Sequence, residues 1–206
     1  TSLHYMCWNK NATLGMVKLL IDAYPESLRR ADKKGQLPLH YLCSHKEIDE
    51  EAGLKILKFL LERCPESVRH AADNGNLPIH LAAGTRSPEF CRILIEAYPG
   101  SERMANNNGA LLIHRACQWN TVATVKYLHQ VYPESISMAD HNELYPIHYV
   151  MDGLKLREGD DTEGAVEVVK FLLDCNPKVV LQKYYDEFPL YWVCVRAGEN
   201  APTLNA

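Results

Sequence analysis

Two kinds of apolar stretch alternate along this chain, separated by short polar connections. The longer kind is amphipathic. Leu54, Ile56, Leu57, Phe59, Leu60 and Leu61 form one copy, and Val166, Val168, Val169, Phe171, Leu172 and Leu173 form another. That pattern predicts a well-buried helix, and the proline that follows stops it. The shorter kind opens on a proline, as in Pro38 before Leu39-His40-Tyr41-Leu42-Cys43. Proline suits the first helical turn, where a backbone N–H has no partner to lose. The connections carry turn signals: Asp32-Lys33-Lys34-Gly35, Asn74-Gly75 and Asn108-Gly109. These predict tight, hairpin-like turns. The unit is helix, loop, helix, turn.

The unit recurs. Pro38-Leu39-His40 returns as Pro78-Ile79-His80 and Pro146-Ile147-His148, with weaker copies at Ser2-Leu3-His4, Leu112-Ile113-His114 and Pro189-Leu190-Tyr191. Tyr24-Pro25-Glu26-Ser27 returns as Cys64-Pro65-Glu66-Ser67, Tyr98-Pro99-Gly100-Ser101 and Tyr132-Pro133-Glu134-Ser135, then degraded as Asn176-Pro177-Lys178. From this second proline to the next histidine the spacing is 15 residues four times running, then 14 to Tyr191. From histidine to the next proline it is 21, 25, 19, 19 and 29. The second half of each unit therefore holds a loop that tolerates insertion, and the shortest full period is 34.

Asp32-Lys33-Lys34-Gly35-Gln36-Leu37-Pro38-Leu39-His40-Tyr41-Leu42-Cys43 resembles the ankyrin repeat, with its Asp-x-x-Gly turn and Thr-Pro-Leu-His helix opening. The resemblance runs through nearly the whole chain and rests on recurrence. It implies an all-α, ankyrin-type helix-loop-helix solenoid of about five to six repeats. The units fall at about 1–34, 35–74, 75–108, 109–142, 143–185 and a partial 186–206. Leu37, Leu77, Leu111, Tyr145 and Phe188 replace the family's threonine, whose hydroxyl would cap the helix. The Tyr-Pro-Glu-Ser ending replaces the family's glycine after the second helix. Glu143 stands where the fifth turn glycine belongs. Tetratricopeptide repeats share the 34-residue period, but their tryptophan–leucine–glycine signature is absent. Six first helices and five second helices are expected, with neither end reading as a polar cap. Further repeats or an assembly neighbour are expected at those ends. A start at Thr1 without methionine or signal segment reads as part of a longer product.

Composition narrows the class. At 47% hydrophobic and 23% charged, the chain of 206 residues is too apolar for disorder. No apolar run approaches the ~20 residues of a membrane helix, so no direct membrane insertion is expected. The net charge of −4 gives no reason to expect nucleic acid. Seven cysteines over this length are too sparse for a secreted disulfide scaffold, and an intracellular, reducing compartment is the expectation.

The residues that could carry chemistry are absorbed by the repeat. His4/Cys7, His40/Cys43 and His114/Cys117 each share a helix face. Zinc would need four ligands converging within ~2.0–2.3 Å of one metal, whereas stacked helices lie ~8–10 Å apart. Ala83 and Met151 hold the same position. The cysteines read as small core residues and the histidines as hydrogen-bonding links between turns. No metal or cofactor is expected. No nucleophile elbow, phosphate loop or His-Glu-x-x-His is present, so no enzyme is expected. Asn11-Ala12-Thr13 is a formal sequon, read as chance.

Two acidic insertions interrupt the regular spacing. Residues 44–53 carry one lysine against four acidic residues, and 151–164 two basic against five acidic; each is −3. They read as solvated loops from one edge of the stack, with acidic prongs for a basic partner as the sharper alternative.

The resemblance implies that another protein docks on the concave face, built by turn tips and the ends of first helices. Turn residues there include Lys33, Lys34, Asn74, Asn107, Asn108 and His141, with Tyr184 and Tyr185 in the last unit. Helix positions add Trp8, Tyr41, His45, Arg115, Trp119, Tyr149 and Trp192. Arg29 and Arg30 extend the basic cluster, and charge along the turns runs from basic toward acidic at Asp140, Glu143, Asp186 and Glu187. Trp, Tyr and Arg are enriched at binding hot spots. A non-enzymatic protein–protein interaction scaffold is the expected function. The alternatives are a permanent structural subunit of a large assembly, or a regulatory ankyrin region of an enzyme or channel.

Overall fold

The computed structural model describes residues 1–119, 121–156 and 162–181. Among the described residues ten α-helices pair into five units: α1 Ser2–Cys7 with α2 Leu14–Ala23, α3 Pro38–Ser44 with α4 Glu50–Arg63, α5 Pro78–Thr85 with α6 Pro88–Ala97, α7 Leu112–Trp119 with α8 Val122–Val131, and α9 Pro146–Leu156 with α10 Thr162–Cys175. The short first helices stack in order, α1 on α3 on α5 on α7 on α9. The second helices form a layer behind them, with α2 against α4, α6 against α8 and α8 against α10. One continuous apolar core lies between the layers. It includes Leu3, Leu42, Ile79, Ile113 and Ile147 from the first helices, and Ile21, Ile56, Leu57, Phe90, Leu94 and Val125 from the second. The sixth first helix expected near Pro189 lies outside the described residues.

The missing threonine cap is replaced from within the helix. The Leu37 N–H donates to His40 Nδ1 (3.1 Å), Leu77 to His80 (3.2 Å), Leu111 to His114 (3.1 Å) and Tyr145 to His148 (3.0 Å). Each histidine thus reaches back one turn and satisfies an N–H that the helix start would leave bare. At three of the repeat's histidines Nε2 bonds to the neighbouring unit. His4 donates to the Gln36 carbonyl (2.9 Å), His40 to Asn76 (3.1 Å) and His80 to Met104 (3.1 Å). An acceptor at Nδ1 and a donor at Nε2 require a neutral ring of one tautomer.

The Tyr-Pro-Glu-Ser ending forms a 3-10 turn after the second helix, at Pro25–Leu28, Pro65–Arg69, Ser101–Arg103 and Pro133–Ser137. Its buried serine hydroxyl donates to the carbonyl of the residue before proline: Ser27 to Tyr24 (2.7 Å), Ser67 to Cys64 (2.6 Å) and Ser135 to Tyr132 (2.6 Å). The ending also links units. Four residues past each proline, a side chain reaches the next ending. Arg69 lies over the Tyr98 ring (5.0 Å), Arg103 lies over Tyr132 (4.6 Å), and Ser137 accepts from Asn176 (2.8 Å). Where Cys64 replaces the tyrosine, Arg29 pairs with Glu66 instead (2.8 Å). The departure from the family's glycine thus adds a second line of inter-unit contacts.

The turns repeat one geometry. Gly35, Gly75 and Gly109 have φ of 70°, 75° and 78°, and Glu143 holds the same left-handed conformation at 62°. The fifth turn therefore keeps its shape despite losing its glycine, at a steric cost that a Cβ imposes there. Glu143→Gly is expected to stabilise the protein by about 0.5–1 kcal/mol, read as a higher urea midpoint. A lower midpoint would mean that the glutamate contributes more than its backbone costs.

Glycine also sets the helix spacing near the middle of the stack. A Cβ on Gly153 of α9 would run into the Gln118 carbonyl of α7, and Gly84 of α5 faces the Arg115 carbonyl and Trp119 from the other side. The end of α7 is thereby held closely between its two neighbours.

Candidate partner-binding face

Three of the four turn tips are set by a side chain at the base; the second, with Ala72 there, relies on Asn74, whose Oδ1 accepts the Asn76 N–H (3.1 Å). Asp32 Oδ1 accepts the Lys34 and Gln36 N–H groups (both 2.8 Å), and Asp140 Oδ1 accepts those of Asn142 (2.8 Å) and Leu144 (2.9 Å). Asn106 serves the third turn, holding Asn108 and Ala110 (both 3.0 Å). Neighbouring tips join through the backbone, Asp73 N–H to Lys34 (3.1 Å), Asn107 to Asn74 (3.2 Å) and His141 to Asn108 (2.9 Å). Lys33, Lys34, Asn74, Asn107, Asn108 and His141 end up exposed in a row. In the turns based on Asp32, Asn106 and Asp140 the tip side chains stay at the surface because the base residue has already met the backbone's hydrogen-bonding needs, whereas Asn74 meets them itself. Asn107 is partly committed, its amide donating to the Asp73 carbonyl (3.0 Å).

The second oxygen of the base carboxylate reaches the helix face. Asp32 Oδ2 accepts from the Tyr41 hydroxyl (2.8 Å), and Asp140 Oδ2 from Tyr149 (2.7 Å). Burial acts to raise both carboxyl pKa values, and the hydrogen bonds from tyrosine and backbone reverse it, leaving both lowered. The tyrosine rings stand edge-on to the preceding unit's histidine, Tyr41 to His4 and Tyr149 to His114 (both 5.0 Å). Tyr41 and Tyr149 are thus half-buried braces as well as surface residues. This nine-residue Asp–Tyr pairing was visible as a spacing and went unread.

The expected contacts divide into presented and committed residues. Trp8 is 49% exposed, at the end of α1, against Tyr41 (6.1 Å between ring centroids) and His45 (4.9 Å). Trp119 is 40% exposed at the end of α7. Arg30 is exposed. Arg115 is half-buried, and its guanidinium donates to Gln118 (2.8 Å). His45 is instead buried beside Trp8, accepting from the Glu47 N–H (3.1 Å). Arg29 belongs to the inter-unit contacts of the 3-10 turns, not to the tips. Tyr184, Tyr185 and Trp192, like Asp186 and Glu187, lie outside the described residues. Sequence reasoning missed Tyr5, which is 74% exposed. It sits one residue past His4, as Tyr41 sits past His40, and that register could have found it.

The charge gradient along the turns loses two members on folding. Arg29 is paired with Glu66, and Asp140 is buried under Tyr149.

The first acidic insertion folds into the protein instead of projecting as a prong. Asp49 caps α4 by accepting the Ala52 N–H (2.9 Å), and Glu51 pairs with Lys55 (2.6 Å). Glu50 accepts from the Ser87 hydroxyl and pairs with Arg86 (3.2 Å), whose side chain is 1% exposed. The same guanidinium donates to the carbonyls of His45 (3.0 Å) and Ile48 (3.4 Å). Gly53 leaves the room for it, since a Cβ there would collide with the guanidinium. Of the second insertion, 151–156 continue α9 and Thr162 opens α10; residues 157–161 lie outside the described residues.

Among the described residues five cysteines are core residues and Cys175 is exposed. Cys7, Cys43, Cys91 and Cys117 are buried and free. Burial pushes the Cys7 and Cys91 thiols up to about 12, which keeps them protonated. Among the described residues, no three His, Cys, Asp or Glu side chains gather as a metal site, and no helix is long and apolar enough to cross a membrane.

Residues 49–140 match the family model described as ankyrin repeats (3 copies). No curated protein matches the chain. Ankyrin repeats are generally protein–protein interaction modules and typically non-catalytic. The matched segment, residues 49–140, consists of ankyrin repeats; it takes in most of three units, and units of the same build continue on either side of it.

Proposed function

We propose that this array is a protein–protein interaction scaffold that holds a partner across its turn tips and the ends of its first helices. One observation carries the reading. The tips are rigidly joined through their backbone, yet their side chains and two tryptophans, Trp8 and Trp119, remain at the surface of the same layer. Aromatic side chains on a preorganised surface offer contact area at low entropic cost. Trp119→Ala is expected to weaken partner binding tenfold or more, with little loss of thermal stability. Titration against a captured partner measures this, and unchanged affinity would remove Trp119 from the contact.

A second reading, a permanent subunit of a larger assembly, draws on a different feature. Met16, Leu19 and Tyr24 of the first unit are exposed together on α2 and its ending. Light scattering on the purified chain separates the two. A monodisperse monomer supports the scaffold reading, and association through this face supports the assembly.

A further inference from the structure

The net charge of −4 conceals a division along the chain. Residues 1–46 contain seven Lys and Arg against three Asp and Glu, a net +4, so the remainder carries −8. Of the three acidic residues, Asp32 is committed to the turn and to Tyr41, leaving Asp22 and Glu26 on the second-helix side.

The basic residues bracket the aromatic strip. Lys33 and Lys34 sit on the turn tip whose base, Asp32, also grips Tyr41. Tyr41 stands edge-on to Trp8 (6.1 Å), and Trp8 packs on His45 (4.9 Å). Lys10 follows Trp8 by two residues, and Lys46 follows His45 directly. All four lysines are exposed, and among the described residues none forms an ion pair. Tyr5 and Trp8 are exposed beside them. The carboxylates adjoining the strip are Asp73 on the next tip and Glu47 beside Lys46. At Trp119 the basic residue on the same helix, Arg115, is half-buried and engaged with Gln118.

We infer that the strip Tyr5–Trp8–Tyr41, with Lys33 and Lys34 at one end and Lys10 and Lys46 at the other, binds an acidic peptide segment carrying a large apolar or aromatic anchor. The anchor packs on Trp8 and Tyr41 while flanking Asp or Glu side chains meet the two lysine pairs. Charges on such a rim steer association and discriminate between partners more than they add affinity, and the aromatic surface supplies the contact. The inference rests on the scaffold reading and names the partner's chemistry at one end of that face.

The test uses a random 12-residue peptide display library panned against the whole chain. Selected peptides are expected to be rich in Asp and Glu around an aromatic or large aliphatic residue. Their affinity should drop tenfold or more in Trp8→Ala and in the double variant Lys33→Glu with Lys34→Glu, and should weaken with added salt. Thermal melts of both variants, with Trp8→Phe as a milder change, show that the fold is kept. Peptides without acidic enrichment, or indifferent to the charge reversal, overturn the inference. Peptides that respond to Trp119→Ala but not to Trp8→Ala overturn it while leaving the scaffold reading in place. A single-stranded oligonucleotide that binds as tightly as the best peptide, and loses affinity in the same variants, overturns it in favour of a nucleic-acid site.

Discussion

Acidification from pH 7 to pH 4.5 is expected to remove most of this protein's stability, before the bulk of its carboxylates are protonated. The agents are His40, His80 and His114. Burial lowers each from its ordinary 6.5 to about 4. The geometry agrees, because each Nδ1 accepts a backbone N–H and has no room for its own proton. The unfolded chain binds protons at these sites below pH 6.5, whereas the folded chain resists until about pH 4. Between those values the unfolded state therefore holds more protons, and stability falls as pH falls. Above pH 6.5 the contribution is fully present. Each histidine contributes on the order of 3 kcal/mol, and three together rival the whole stability of an ordinary domain, roughly 5–15 kcal/mol. Urea midpoints followed by circular dichroism at pH 7.5, 6.5, 5.5 and 4.5 should hold between the first two and then decline steeply. A flat profile from pH 6.5 to 4.5 would refute the role of these rings. The lowered carboxyls of Asp32 and Asp140 act in the same direction, but further down, below their usual range.

Replacing Arg86 with alanine is expected to cost about 3 kcal/mol. The side chain is buried, and burial lowers its pKa against the opposing pull of Glu50. Its guanidinium donates to the carbonyls of His45 and Ile48 and lies over the Phe90 ring (4.4 Å). Alanine leaves those carbonyls without their donor and opens a cavity beneath α4, two costs that add. The loop 44–49 should exchange its amide hydrogens faster in the variant, while the turn tips keep their protection. Glu50→Ala should also destabilise, because it strips the buried Arg86 guanidinium of its counter-charge, but by less than Arg86→Ala, since the guanidinium keeps its hydrogen bonds to the His45 and Ile48 carbonyls and no cavity opens. Arg86→Met separates the two costs. A methionine variant as stable as the wild type would show that filled volume, and not the hydrogen bonds to the loop, holds residues 44–49.

These two sites differ in how far they could be read in advance. The histidines announced themselves by recurrence at fixed distance from proline, and their structural role followed from the repeat. Their unusual acidity needs the burial and the N–H aimed at Nδ1, which only the stacked helices supply. Arg86 carried no signal at all. It sits in the variable half of its unit, and its partners lie about forty residues earlier, in what read as a detached acidic loop. Counting that loop's charge as −3 missed that three of its four acids would be used by folding, as a helix cap and two ion pairs.

The sequence by itself determined the unit, its helix pair, its turns, the all-helical stack and the residues on the turn tips. Local chemistry suffices for these, since period, proline and glycine act within a few residues, and repetition multiplies the signal. The tertiary structure alone decided which surface candidates stay free. Tyr41 and Tyr149 became braces, His45 was buried, Arg29 was drawn to Glu66, and Tyr5 and Trp8 were left exposed. Those outcomes depend on contacts between side chains from different units, and a repeat pattern fixes where such side chains start but not what they meet.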